Sequence, residues 1–197
     1  MFYKFAKTVV KIIFSLIFKI KVIGKENIPK NGPVIICSNH ISNFDPPVVG
    51  ITSPRDIHFM AKEELFEKSW LNKILTNVGA FPVKRGMRDR NALRNGLKLL
   101  EEGHTLGLFP EGTRSKDGEV KRGLAGAGFF AMRSNATVIP CAIIGTYKKF
   151  SPIKVVYGQP IEFKSMQTEK PNAQEVTDEI MDHIKRLLDE NRSSMLR

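Results

Sequence analysis

Cysteine is scarce in this chain, and neither copy is placed like an activated thiolate. Cys37, in Val34-Ile35-Ile36-Cys37, and Cys141, in Val138-Ile139-Pro140-Cys141, sit in apolar runs that read as buried strands. Both are expected to be reduced core residues of a chain exposed to the cytosol. No Gly-x-Ser-x-Gly elbow occurs, so a covalent hydrolase lacks its usual nucleophile. The four histidines, His40, His58, His104 and His183, are scattered without ligand spacing, and no metal site is expected. Acidic residues number 20 against 31 basic ones, a formal charge of +11, and none lies between 121 and 160. The basic segments carry no nucleic-acid motif, which argues against a nucleic-acid partner. There is no internal repeat, low-complexity stretch or clear linker, and 197 residues with 42% hydrophobic content suit one compact domain.

The positive charge is uneven. Residues 1–30 hold seven basic side chains against one acid, residues 121–160 hold six against none, and the rest is close to balance. Two basic patches of this kind suit an anionic lipid surface or an acidic protein partner. On a helix turning about 100° per residue, Lys4, Lys7, Thr8, Lys11, Ser15 and Lys19 fall within an arc of roughly 120°. Phe2, Phe5, Val9, Val10, Ile12, Ile13, Phe14, Leu16, Ile17, Phe18 and Ile20 cover the remainder. Four lysines argue against a centred transmembrane span. The pattern predicts an amphipathic helix over residues 1–20 lying in the membrane interface, apolar side down. Packing of that helix on the domain's own core is the alternative. A signal peptide fits less well, because Ser15 breaks the apolar run, Lys19 and Lys21 follow it, and no small-x-small cleavage site appears.

Beyond Pro29, short apolar runs alternate with helical patterns, which predicts an α/β domain with a mixed, largely parallel sheet flanked by helices. Strands are expected near 33–38, 56–61, 80–84, 105–109, 137–143 and 153–158. Leu93, Leu97 and Leu100 mark a helix of about 88–102 that Gly103 could stop, and Val176, Ile180, Ile184 and Leu187 mark one of about 173–190.

Polar residues follow three of those strands: Asn39-His40 after the first, Arg85 after the third, and Glu111-Gly112-Thr113-Arg114 after the fourth. With the strands parallel, the three loops share the sheet edge where open α/β sheets place ligands. His40 and Asp45 would face different ways on a continuous helix, but Pro46 and Pro47 bias the chain away from one. Ile41-Ser42-Asn43-Phe44 then reads as a turn that folds the carboxylate back onto the imidazole, leaving the second ring nitrogen as a base. Asp45 as a helix-terminus acid and His40 as a loop histidine bonded to backbone are the plainer readings. In the other loop, Gly112 lets backbone approach a ligand, Arg114 offers a planar fork for phosphate, and Thr113 and Ser115 add hydroxyls. Glu111 could hold Arg114 or the substrate. A polar turn with a solvated arginine is the alternative there, and Arg85 with Lys84 has the same ambiguity.

Asn39-His40-x4-Asp45, Gly79-x-Phe81-x-Val83-x-Arg85, Phe109-Pro110-Glu111-Gly112-Thr113-Arg114 and Val138-Ile139-Pro140 occur in that order over about 39–143. In these blocks the chain resembles the glycerolipid acyltransferase family, closest to bacterial 1-acyl-sn-glycerol-3-phosphate (lysophosphatidate) acyltransferases. The resemblance implies a catalytic pair of His40 and Asp45 and glycerol phosphate binding by Arg85, Glu111, Gly112, Thr113 and Arg114. It also associates Lys62, in Ala61-Lys62-Glu63, with the phosphate, and gives Val138-Ile139-Pro140 a part in shaping the site. Lys84 departs from the pattern, standing where an acid is common beside the motif arginine.

The implied reaction moves an acyl chain from acyl-CoA or an acyl-acyl-carrier protein, as co-substrate, to the sn-2 hydroxyl of 1-acyl-glycerol-3-phosphate, giving phosphatidate. No bound cofactor is implied. Implied partners are the membrane surface, its lysophosphatidate and, where it is the donor, an acyl carrier protein, with the enzyme on the cytoplasmic face of the cell membrane and residues 21–197 as the acyltransferase domain. An acyltransferase acting on glycerol-3-phosphate or another lysophospholipid, and more remotely a non-catalytic membrane binder, are the alternatives.

Overall fold

The computed structural model describes residues 2–84, 89–115, 117–163 and 171–192. It contains, in chain order, α1 (Phe2–Ile17), β1 (Lys19–Ile23), β2 (Val34–Ser38), α2 (Asp45–Thr52), β3 (Ile57–Lys62), α3 (Ser69–Asn77), β4 (Phe81–Val83), α4 (Arg90–Glu101), β5 (Thr105–Leu108), α5 (Gly126–Arg133), β6 (Thr137–Gly145), β7 (Pro152–Tyr157) and α6 (Ala173–Arg192). The strands form one sheet in the order β1-β7-β6-β2-β5-β3-β4. Every neighbouring pair is parallel except β6 and β7, so the expected mixed, largely parallel sheet is present.

Composition explains the layering. A strand covered on both faces reads as a continuous apolar run, because alternate side chains enter different cores. In β2, Ile35 and Cys37 enter the core beneath α4, α5 and α6, whereas Val34 and Ile36 enter the core beneath α1 and α2. Cys37 and Cys141 are both free and point into opposite cores. Burial raises both thiols, Cys141 to about 12, so neither is an available nucleophile. The α6 stripe Val176, Ile180, Ile184 and Leu188 is buried at helical spacing. Gly96 of α4 lies against the Phe130 ring, where any Cβ would collide with it, so its cost to the helix is offset by close packing on α5.

The N-terminal segment differs from expectation in two ways. The helix stops at Ile17, and Lys19–Ile23 forms β1 beside β7, with Lys19 opposite Pro152 and Ile23 opposite Val156. Phe18 turns into the core, and Val22 packs against it. Phe18, Lys21 and Val22 break the helical arc, and Lys19-Ile20-Lys21-Val22-Ile23 alternates at the period of a strand, which the open edge of β7 then pairs.

The second difference is that α1 has three faces rather than two. Tyr3, Ala6, Lys7, Val10, Phe14 and Ile17 point inward or lie half-buried, within an arc of roughly 100°. Lys7 belongs to that face. Its ammonium donates to Ser53 O at 2.9 Å and Arg55 O at 3.2 Å, and burial pushes its pKa down. Phe2, Phe5, Val9, Ile12, Ile13 and Leu16 form a separate exposed apolar stripe, with Leu16 72% exposed. Lys4, Thr8, Lys11 and Ser15 make the third face. Packing on the domain and an exposed greasy surface therefore coexist in one helix.

Candidate active site

The order of the central strands brings the site together. β6, β2, β5, β3 and β4 run in one direction, so the segments after them emerge at one edge. These are Asn39-His40, Phe109 to Ser115, Lys62 and the Gly145 to Tyr147 turn. Crossover connections make such an edge concave, and open parallel sheets bind ligands there. Arg85, the expected phosphate ligand after β4, lies outside the described residues.

His40 and Asp45 meet as the turn predicts. Pro46 and Pro47 occupy the first turn of α2, where their missing N–H groups cost nothing, and Asp45 heads that helix. His40 Nδ1 donates to Asp45 Oδ2 at 2.8 Å, and the Ile41 and Ser42 N–H groups donate to the same oxygen at 2.7 Å each. Asp45 Oδ1 accepts the Tyr147 hydroxyl at 2.6 Å. The carboxylate is 0% exposed, so these four donors replace its water. A buried carboxylate is tolerable only when its lone pairs are met in this way. Asp45 is thus at once the helix-terminus acid of the plainer reading and the partner of His40. Because Nδ1 carries the donated proton, Nε2 carries the lone pair. The imidazole stacks on Phe109 at 4.2 Å between ring centroids, and Phe109 in turn stacks on Phe59 at 5.9 Å.

The Glu111 loop clamps this histidine from outside its own segment. Glu111 is 4% exposed. Its Oε1 accepts the His40 N–H at 2.9 Å, its Oε2 accepts the Lys121 N–H at 3.1 Å, and the Ser115 N–H donates to His40 O at 2.8 Å. The side chain thus holds backbone, not Arg114. Gly112 makes the turn with φ 66°, a region that glycine enters without strain, and Leu124 covers it closely. Thr113 and Arg114 are exposed beside this braced segment. Lys62, at the end of β3, pairs with Glu64 at 2.7 Å while nearly half of its side chain stays open.

Three contributors are given no role of their own by the motif reading. Asn39 is buried, and its amide bonds both the N–H and the C=O of Ile143 at 2.8 and 3.0 Å, holding the start of the His40 loop to β6. Phe109 supplies the floor under the imidazole. Tyr147 completes the shell of Asp45 from a position 102 residues away. Asn39 has a signal in its place beside His40, and Phe109 stands at the head of its motif; Tyr147 has none. Among the described residues, no three His, Cys, Asp or Glu side chains are grouped to hold a metal.

The family model described as Acyltransferase matches residues 19–144. The chain belongs to the acyltransferase family. This acyltransferase is 36% identical, over 81% of its length and 82% of the relative's, to a protein of Bacillus subtilis named 1-acyl-sn-glycerol-3-phosphate acyltransferase. A protein of the same name from Borreliella burgdorferi is 33% identical over 67% of this chain and 54% of its own. The fold is similar to the crystal structure of PlsC from Thermotoga maritima, titled as a 1-acyl-sn-glycerophosphate acyltransferase. That similarity has a TM-score of 0.78 and 27% identity, and covers 95% of this acyltransferase and 79% of that chain.

Proposed function

We propose that this acyltransferase moves an acyl chain from a thioester to the sn-2 hydroxyl of 1-acyl-glycerol-3-phosphate, with His40 as general base and Asp45 as its orienting carboxylate. The observation that carries the reading is the 2.8 Å bond between His40 Nδ1 and an Asp45 carboxylate that is wholly buried. Such a pair sets one tautomer and aims Nε2 outward. His40 Nε2 takes the hydroxyl proton as the oxygen attacks the thioester carbonyl. The tetrahedral intermediate then collapses, and the leaving thiolate recovers the proton from the imidazolium as free thiol. No acyl-enzyme is needed, in keeping with two cysteines whose thiols are buried and raised.

Arg114, Thr113 and Lys62 offer cations and a hydroxyl near the base for the acceptor's phosphate, and Arg85 is assigned to the same anion by its motif position. Gly112 lets backbone come close to that anion. Glu111 serves the site by holding the His40 and Lys121 backbone. Acyl-CoA and an acyl-acyl-carrier protein are both fitting donors for the basic stretch that opens with Lys121 and Arg122.

We assign α1 to the lipid surface, on the cytoplasmic face of the cell membrane. No described helix is long and apolar enough to cross a membrane. The exposed stripe from Phe2 to Leu16 would enter the acyl boundary, with Lys4 and Lys11 at headgroup level. Phe150, 59% exposed and bonded through its N–H to Ile17 O, extends the surface with Lys148 and Lys149 beside it.

The deciding experiment is transfer from a labelled thioester to lysophosphatidate, glycerol-3-phosphate and an unphosphorylated monoacylglycerol, with both carriers. Phosphatidate formed selectively and lowered roughly 10²–10⁴-fold in His40→Ala is the expected outcome. Near-normal turnover in His40→Ala would remove the base, and preference for another acceptor would change the substrate.

A further inference from the structure

The Asp45 carboxylate has two oxygens in different service. Oδ2 meets the imidazole and two N–H groups of its own turn, all within five residues. Oδ1 meets a single group, the Tyr147 hydroxyl, delivered from beyond β6. The terminal torsion of an aspartate is broad and roughly two-fold, and rotation about Cβ–Cγ moves both oxygens together, so a bond to Oδ1 is a second, separate anchor on the setting of Oδ2.

We infer that Tyr147 is a positioning residue for the His40–Asp45 pair: its hydroxyl holds Oδ1 and so keeps Oδ2 aimed at Nδ1. The inference rests on the reading of His40 as the general base. At 2.6 Å the bond has the short length of a charge-assisted O–H···O⁻ contact. Burial and the adjacent carboxylate push the phenol well above its ordinary pKa, so it remains a donor. The ring itself is braced. Phe18 meets it edge-on at 5.5 Å, Phe44 lies at 5.6 Å, and Phe14 of α1 packs edge-on against Phe44 at 5.7 Å. The N-terminal helix, the Asp45 turn and the segment after β6 thereby share one aromatic cluster whose single polar tip ends on the carboxylate.

A second hydrogen-bonded tyrosine, this one fully buried, provides the comparison. Tyr157 bonds Thr52 Oγ1 at 2.8 Å and Val49 O at 3.2 Å, on the same helix α2 but at its far end. Tyr147→Phe and Tyr157→Phe each delete one hydrogen-bonded hydroxyl and keep the ring. The test measures kcat, the KM for lysophosphatidate and Tm for both variants, with His40→Ala beside them, and follows the His40 Nδ1–H proton by NMR.

Tyr147→Phe is expected to lower kcat roughly tenfold and to move the Nδ1–H resonance, with KM changed by less than about twofold. Tyr157→Phe is expected to lower Tm while keeping kcat and the resonance. A Tyr147→Phe enzyme with parental kcat, or with an unmoved Nδ1–H signal, overturns the inference, as does an equal kcat loss in Tyr157→Phe. If His40→Ala is inactive while Tyr147→Phe is intact, only the positioning role falls. An active His40→Ala removes the general-base reading itself.

Discussion

The inner and outer sides of the site are built on opposite terms. On the inner side, Asp45 is fully buried with both oxygens bonded, Asn39 is locked onto β6, and Glu111 grips the His40 backbone. On the outer side, Thr113 and Arg114 are exposed, and Lys62 has nearly half its side chain open. A base that must accept a proton within a few tenths of an ångström gains from rigid support. Cations that meet a phosphate arriving from solvent or a lipid surface gain from staying hydrated until it comes, since a buried cation would carry a desolvation cost before any ligand arrived. The two sides should therefore fail differently, the inner in turnover and the outer in binding.

Asp45→Asn is the harshest way to probe this difference. The amide can donate where the carboxylate only accepts, so it competes with three donors on Oδ2 and favours the wrong imidazole tautomer. A kcat loss of roughly 10³–10⁴ with little change in acceptor KM is expected, read from saturation curves. Arg114→Ala tests the outer side. Losing one charge-assisted contact should raise the lysophosphatidate KM about tenfold or more while kcat stays within a small factor; a fall in kcat alone would place Arg114 on the inner side.

On the proposed reading, the exposed stripe of α1 extends the outer side to the membrane. Phe5→Glu with Leu16→Glu, at positions 67% and 72% exposed, should move the protein from co-sedimenting with anionic vesicles to the supernatant while leaving Tm almost unchanged. Retention on vesicles would count against this helix as the seat. Removing the whole segment would be a poorer test, because Phe14 and Phe18 are core residues and β1 pairs with β7.

The smallest effect is expected at a helix cap. Asp89 caps α4, accepting the Asn91 and Ala92 N–H groups at 3.0 Å each, while its second oxygen accepts the Lys84 N–H. Asp89→Ala should cost about 1 kcal/mol of stability at neutral pH. These bonds hold the Asp89 pKa below its usual value. Its contribution is therefore present above the unfolded-state pKa and is lost as pH falls through the lowered folded value. The difference from the parent in a denaturant melt should fade in acid.

Local pattern reached a definite depth in this chain. The strand runs, the turn forced by Pro46 and Pro47, the His40 and Glu111 loops after their strands and the stop at Gly103 are written in neighbouring residues, and each is found where that chemistry puts it. The inward turn of Lys7 was not legible, because a lysine on an amphipathic helix looks the same whether its partners are water or the carbonyls of Ser53 and Arg55. The strand β1 is overlooked because Lys19 and Ile20 still fit the helical arc, although Lys19-Ile20-Lys21-Val22-Ile23 alternates at the period of a strand.

By itself the sequence determined the nature of the chemistry: a histidine and a carboxylate five residues apart, joined by a turn that proline enforces, and an arginine loop at the end of another strand. Tertiary structure alone decided how that chemistry is held. Glu111 reaches His40 across 71 residues and Tyr147 reaches Asp45 across 102. Such bonds depend on β2 lying between β5 and β6. Strand order is a property of which edges pair across the whole sheet, and no run of neighbouring residues encodes it.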